Sequence, residues 1–349
     1  MKLTQIGPVS YIGGVSVHIN RLIYILSNNI DYSISIIDES PPKLNKKGFI
    51  NLRKWSSFSD YYKGIKHADI IHIHSGNWLI RIYNIFWALI LKRKIIVTLH
   101  SFRINKLKLY ITTFFLKRVE LVISVNDEIY QRIYRINKNS IVKEAFIPPD
   151  IETELMLPLQ IRERLDEEKK RKTLICVNAF RLTPFNNAEL YGFDQCVEIA
   201  KMAKQEKLEI LIIYVIGTLN KNDKIYERYS KIIFDDKLTD NIWIITEPIS
   251  FVRLINECKL VLRPTLSDGD ALTVREAIFL NKRVIASDVV KRPNGTILYK
   301  TGDAIDLFNK IKAEIKNEDP LNNKDDLNIT TYYKFYNNIY NLCYNSHKN

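Results

Sequence analysis

Short apolar runs alternate with helix-period segments along nearly the whole chain, and this alternation stops once and restarts. In the first stretch Leu3–Ile6, Ser33–Ile37, Asp69–His74, Ile95–Leu99 and Leu121–Val125 read as strands. Between the first two, Val15, Ile19, Leu22, Ile23 and Leu26 recur at three- and four-residue spacing, the period of a helix with one buried face. Asn126 is placed to cap a helix that opens on Asp127 and Glu128. Residues 158–172 are dominated by Arg, Glu, Asp and Lys and read as a solvated helix or linker. Beyond them Leu174–Val177, Ile210–Ile216, Ile242–Ile245, Leu260–Leu262 and Val284–Ala286 read as strands, with helices over 193–204, 223–234, 250–257 and 274–280. Strands alternating with helices give a parallel sheet covered on both faces. The expected architecture is therefore α/β: a domain over 1–150, a second over 151–325, and a closing helix in 326–349 that packs back toward the first.

The bulk properties restrict the classes. A chain of 349 residues, 46% hydrophobic and 26% charged, is globular and long enough for two domains. The start, Met1 to Pro8, is a short strand broken by Gly7 and Pro8, without the apolar core of a secretory signal. The apolar stretch 78–91 contains Arg81 and Asn84 and is shorter than the roughly 20 residues that cross a bilayer. Four scattered cysteines, with no CxxC pair, fit reduced thiols in a cytoplasm. Charge is uneven: residues 1–150 hold 22 Lys and Arg against 10 Asp and Glu, and the remainder hold 30 against 29. The first half is thus expected to face something anionic, such as a membrane surface, a lipid diphosphate or a nucleic acid.

The most informative segment is Arg263-Pro-Thr-Leu-Ser-Asp268-Gly-Asp270-Ala271-Leu272-Thr273-Val-Arg-Glu276. It follows a buried strand and opens a helix, whose first N–H groups attract phosphate oxygens. Two acids in this setting can grip two parts of one elongated ligand, and a carboxylate suits a vicinal diol. The stretch resembles the Glu–seven residues–Glu motif of family-4 glycosyltransferases, which have two tandem Rossmann-like domains facing a cleft, the GT-B fold. Within that family it is similar to bacterial cell-surface polysaccharide glycosyltransferases. The resemblance covers about 1–325 and is more specific in the C-terminal half.

The resemblance implies roles residue by residue. Asp268, one methylene shorter than the family's acid, would contact the donor sugar. The amides of Asp270, Ala271, Leu272 and Thr273 would meet sugar hydroxyls and phosphate, and Glu276 would hold the ribose. Ala271 stands where the family usually has Gly, so the sugar stays open. The segment 176–182, with Arg181, resembles the family's strand ending in Gly-Arg-Leu, whose Arg binds the diphosphate. Tyr191 replaces a further Lys, and Arg263 is the expected substitute. Gly13 and Gly14 before a helix resemble the glycine loop that meets the diphosphate from the other domain. His100, at a strand end, resembles the histidine near the donor sugar, and packing or capping is its alternative.

These roles imply a cytoplasmic retaining glycosyltransferase. It would move a sugar from a nucleoside-diphosphate sugar to a saccharide acceptor, expected to be lipid-linked, in surface polysaccharide synthesis. No cofactor, no metal and no nucleic acid is expected. Asp268-Gly-Asp270 imitates an Asp-x-Asp cation site, but that site belongs to a fold with a single mixed sheet. His72 and His74 share a strand face without an evident third ligand, so no metal is assigned to them either. Residues 101–118 interleave Arg103, Lys106, Lys108, Lys117 and Arg118 with aromatic and aliphatic residues. That pattern fits peripheral contact with the inner face of an anionic membrane, or a surface helix burying its apolar side in its own domain. Two other functions remain open: a sugar-nucleotide 2-epimerase of the same fold, and a basic membrane- or nucleic-acid-binding module.

Overall fold

The computed structural model describes all residues except 12, 29–30, 103–105, 270, 320–328 and 347–349, and the side chains of 106 and 107. Asp270, Arg103 and the side chain of Lys106 therefore lie outside the described residues. The chain divides into two compact units, Met1–Ile147 with Asn328–Asn349, and Pro148–Leu327.

The first unit runs β1 (Lys2–Gly7), α1 (Gly14–Ser27), β2 (Ser33–Asp38), β3 (Ile50–Asn51), α2 (Phe58–Lys66), β4 (Ile70–Ile73), α3 (Trp78–Ile90), β5 (Lys94–Leu99), α4 (Lys106–Leu116), β6 (Leu121–Ser124), α5 (Asp127–Tyr134) and β7 (Ser140–Val142). Its sheet has the order β3-β2-β1-β4-β5-β6-β7, parallel at every pairing. Crossovers lead to one side from β1 to β3 and to the other from β4 onward. The order reverses between β1 and β4, and ligands of doubly wound sheets bind at the carboxyl ends of the strands at such a point. Asn77 caps α3 by accepting from the N–H groups of Leu79 and Ile80, and Asn126 caps α5 through the N–H of Ile129.

The second unit runs α6 (Leu159–Glu168), β8 (Thr173–Ala179), β9 (Pro184–Phe185), β10 (Ala188–Glu189), α7 (Phe193–Gln205), β11 (Ile210–Ile216), α8 (Lys224–Asp235), β12 (Ile242–Ile245), α9 (Phe251–Glu257), β13 (Leu260–Arg263), α10 (Leu272–Phe279), β14 (Arg283–Ser287), β15 (Thr296–Tyr299) and α11 (Ala304–Lys316). The charged run 158–172 contains α6, which buries Ile161 and Leu165. The main sheet is again all parallel, in the order β12-β11-β8-β13-β14-β15, and reverses between β8 and β13. Every residue of β11 is buried, as a central strand covered on both faces requires.

The last helix, α12 (Ile329–Asn345), belongs to the first unit. It buries Tyr332, Tyr336, Ile339 and Tyr340 and lies against α1 and β4. The Tyr340 hydroxyl, wholly buried, accepts from Gln5 Nε2 at 3.1 Å and meets His72 Nδ1 at 2.7 Å.

Candidate active site

At the reversal point of the second unit the turn after β13 is held from three sides. Asp268 is its centre. Its Oδ2 accepts from Arg263 Nε (3.0 Å), Thr265 Oγ1 (3.1 Å) and Arg292 Nη1 (2.8 Å). Its Oδ1 accepts from Arg263 Nη2 (2.9 Å) and the Gly269 N–H (3.0 Å). Burial pushes the Asp268 carboxyl upward, but the bonds and charges of Arg263 and Arg292 outweigh that and hold it at about 2. A carboxylate offers about four lone-pair positions, and those of Asp268 are taken.

Two residues that sequence analysis assigned to the donor are engaged within the turn itself. Asp268, expected to reach out to a donor sugar, is turned inward as the brace of the loop. Arg263, expected to stand in for a diphosphate-binding lysine, is engaged by Asp268 in a two-pronged pair and lies 5.3 Å from the Tyr191 ring centroid. Arg292 escaped sequence analysis altogether. It is buried, and it also bonds the Ser287 carbonyl and hydroxyl and the Thr265 hydroxyl. Its 24-residue distance from Asp268 has no periodicity that a pattern could reveal.

A second clamp comes from the start of α7. Gly192 adopts φ 75°, and a Cβ there would lie 2.4 Å from the Pro264 carbonyl oxygen. Only glycine combines that backbone with that approach. Gln195 Nε2 donates to the same carbonyl at 3.0 Å. Buried Glu189 accepts from the N–H groups of Tyr191 and Phe193 at the α7 start, and from Thr183.

The start of α10 is different. Its first turn carries no acid, and Ala271 in the capping position supplies no side-chain bond. Leu272 and Thr273 open the helix, and the Thr273 hydroxyl donates to Asn178 Oδ1 (3.1 Å), tying α10 to the end of β8. Glu276 is 6% exposed on the first turns of α10. Arg181 is exposed just beyond β8. In the first unit α1 likewise begins without a side-chain cap or an acid, with Gly13 at φ 147° and Gly14 as its first residue. Helices α3, α5, α8, α9 and α11, by contrast, are capped by Asn or Asp or Ser side chains. Among the described residues no side chain caps these two starts, at the carboxyl ends of β1 and β13, and N–H groups at a helix start suit an anion.

At the reversal point of the first unit the structure gathers histidines. His74 and His100 follow β4 and β5, and α1 carries His18. Gly7 ends β1 beside them, where a Cβ would come within 2.6 Å of Ile19 Cδ1 and 3.1 Å of His74 Cβ. His100 Nε2 lies 3.5 Å from His74 Nδ1. Burial pushes all three imidazoles down, His18 to about 4, so they are neutral near pH 7. His72 lies beneath and is held by Tyr340 and by Thr98 Oγ1 (2.8 Å).

Nearby, buried Glu39 follows β2 and accepts from the Ser75 hydroxyl and from Asn84 Nδ2 (3.1 Å). Sequence analysis missed this carboxyl because nothing in its spacing marks it.

Solved structures share these two parallel sheets. HepE from Anabaena in complex with UDP-glucose aligns over 98% of this chain and 99% of its own, with a TM-score of 0.72 at 13% identity. A glycosyltransferase from Rickettsia africae aligns over 99% and 96%, with a TM-score of 0.62 at 15% identity. The lipopolysaccharide outer core galactosyltransferase WaaB aligns over 98% and 99%, with a TM-score of 0.60 at 14% identity.

The chain has the GT-B fold.

No protein-family profile and no curated protein matches the sequence. The GT-B assignment thus rests on architecture, and the roles of the side chains rest on the geometry above. Among the described residues no helix is long and apolar enough to cross a membrane.

Proposed function

We propose that the chain is a retaining glycosyltransferase that takes its sugar from a nucleoside-diphosphate donor, with a uridine diphosphate sugar as the first candidate. The observation that carries this reading is the braced turn between β13 and α10. It presents uncapped helix N–H groups and places Glu276 on the same short helix, four residues after Leu272. The amides suit the diphosphate, and Glu276 suits the ribose diol. Arg181 would add charge at the end of β8. Asp268 and Arg292 act by positioning that turn. HepE is described in complex with UDP-glucose, which supports the choice of nucleotide.

Proton transfer in this reading needs no strong protein base, because the leaving diphosphate oxygen takes the proton of the incoming hydroxyl. The fixed N–H groups stabilise the charge that grows on that oxygen. The amides and Arg181 would hold the diphosphate without a metal ion.

For the acceptor we propose a saccharide on a lipid carrier. The support is the net +12 of residues 1–150 and the exposed apolar face of α3 and α4 in the same unit. WaaB, a lipopolysaccharide galactosyltransferase by its description, has the same fold.

Calorimetric titration with UDP and UDP-glucose tests the donor reading. Glu276→Gln is expected to weaken UDP binding by about 1–3 kcal/mol, the range of charge-assisted hydrogen bonds. Unchanged affinity in a folded variant removes the ribose assignment. UDP affinity is also expected to be the same with EDTA as with added manganese. Binding that requires manganese would return the Asp268–Asp270 cation reading. Release of UDP from UDP-glucose only when a saccharide acceptor is added separates a transferase from a 2-epimerase.

A further inference from the structure

We propose that the first unit binds a divalent transition-metal ion, of the zinc class, through His18 Nε2, His74 Nδ1 and His100 Nε2. Ligating nitrogens of these three residues lie within 4.8 Å of one another. The site is built from residues of the first unit alone, and the proposal stands whether or not the donor reading does.

The hydrogen bonds determine which nitrogens offer lone pairs. His18 Nδ1 lies 2.7 Å from the Ala145 carbonyl, which can only accept, so Nδ1 carries the proton and Nε2 is a bare lone pair. That Nε2 is buried and has no hydrogen-bond partner. The tautomer of His74 is fixed by a longer chain of bonds. Gln5 Nε2 donates to the Tyr340 hydroxyl, so Gln5 turns its carbonyl oxygen to His74 Nε2 at 3.0 Å. Nε2 of His74 must then carry the proton, and its Nδ1 is a second bare lone pair. Tyr340 in turn can donate to His72 Nδ1, which leaves His72 Nε2 to donate to Thr98 and removes His72 from the ligand set.

Two lone pairs therefore converge on the space that His100 Nε2 faces. One proton on His100 can satisfy one of them, and the other stays buried without a donor, which costs free energy. A cation satisfies all three nitrogens together. Neutral imidazole is the preferred ligand of zinc, copper and nickel, and three imidazoles with an open fourth position make a common zinc set. Zn–N bonds of about 2.0–2.1 Å put tetrahedral ligand atoms about 3.4 Å apart, so the side chains close by roughly 1 Å on binding. The outer bonds are of the kind that orient metal-bound histidine: a backbone carbonyl behind His18 and an amide carbonyl behind His74. His18 and His74 are buried, and His100 is half-buried, so the fourth position opens on the His100 side to water or a substrate oxygen. Sequence analysis assigned no metal to His72 and His74 for want of a third ligand. The fold supplies two, one from the helix after β1 and one from the end of β5.

The test uses the full chain without a histidine tag, stripped with chelator and dialysed against zinc. One equivalent of tightly held zinc is expected by elemental analysis, and cobalt should give the visible absorption of a four-coordinate site. His100→Ala and His18→Gln should each weaken zinc binding by more than the roughly 10–100-fold that loss of an outer-shell partner costs. Replacement of exposed His67 should leave it intact. Circular dichroism shows whether each variant is folded, and the half-buried position of His100 makes its variant the safer one. Substoichiometric zinc in the folded wild type overturns the proposal, as does retention of zinc and of the cobalt spectrum by folded His100→Ala.

Discussion

Two buried carboxyls show how differently the same group behaves in this chain. Asp268 meets two guanidiniums and stays charged down to about pH 2. Glu39 meets the Ser75 hydroxyl and the Asn84 amide, with Arg81 and Arg53 as the nearby charges and Tyr61 close by. Burial dominates there and lifts Glu39 to about 7. Between pH 4.5, its ordinary value, and about 7 the folded chain keeps a proton that the unfolded chain has lost. Stability contributed by this group therefore falls as pH rises through that window. Glu39→Gln is expected to flatten the slope and to stabilise the chain near pH 8 by roughly 3 kcal/mol. Urea unfolding near pH 5 and pH 8 measures this, and an unchanged slope would mean that Glu39 is already ionised in the folded state. At this scale the position of Glu276, on a helix after a buried strand, was legible in the sequence. The sequence was silent where a partner comes from a distant turn. Arg292, His18 and Glu39 are ordinary residues in the sequence and acquire their neighbours only through the crossovers of the sheets.

The long strands and most helices were legible because each carries a local signal, such as the all-apolar run of β11 or the Asn126 that caps α5. The two-residue strands β3, β9 and β10 have too few residues to show any period. The helix α2 was missed for another reason. Its buried residues are Tyr61 and Ile65 alone, and apart from Gly64 the rest of its sequence is polar or aromatic. The basic stretch 101–118 had two open readings; the burial of Leu116 fits a helix packed on its own unit, and membrane contact is a proposal. Leu116 of α4 is buried, while Tyr110 and Phe114 stay exposed. On α3, which packs against α4, Leu79, Phe86 and Ile90 are exposed as well. Lys108 lies over the Trp78 ring at 5.5 Å, and Lys117 and Arg118 follow the end of α4. An apolar face with cationic neighbours suits an anionic bilayer surface. Wild-type protein is expected to sediment with phosphatidylserine vesicles at low salt and to be released at high salt. Lys108→Gln with Lys117→Gln should weaken that binding by about 2 kcal/mol, near 1 kcal/mol for each charge. Indifference of the wild type to these vesicles would favour a soluble acceptor.

The molecule as a whole is two sheets of the same design, but only the second unit is continuous in sequence. A chain ending at residue 327 lacks the buried Tyr332, Tyr336, Ile339 and Tyr340, each worth about 1.5–3 kcal/mol of burial. The first unit of such a chain is expected to be digested rapidly in limited proteolysis, while a fragment near 148–327 resists. Equal resistance of both units would show that α12 contributes little. The returning helix also has a consequence for synthesis. Gln5 leaves the ribosome 335 positions before Tyr340. The second unit can fold as it emerges, whereas the first must wait, its α12 seat uncovered, until α12 itself has been made. Contacts so distant in sequence form slowly, and apolar surface left open in the interval invites misassociation. A nascent chain stalled shortly before α12 should therefore be the species most dependent on chaperones.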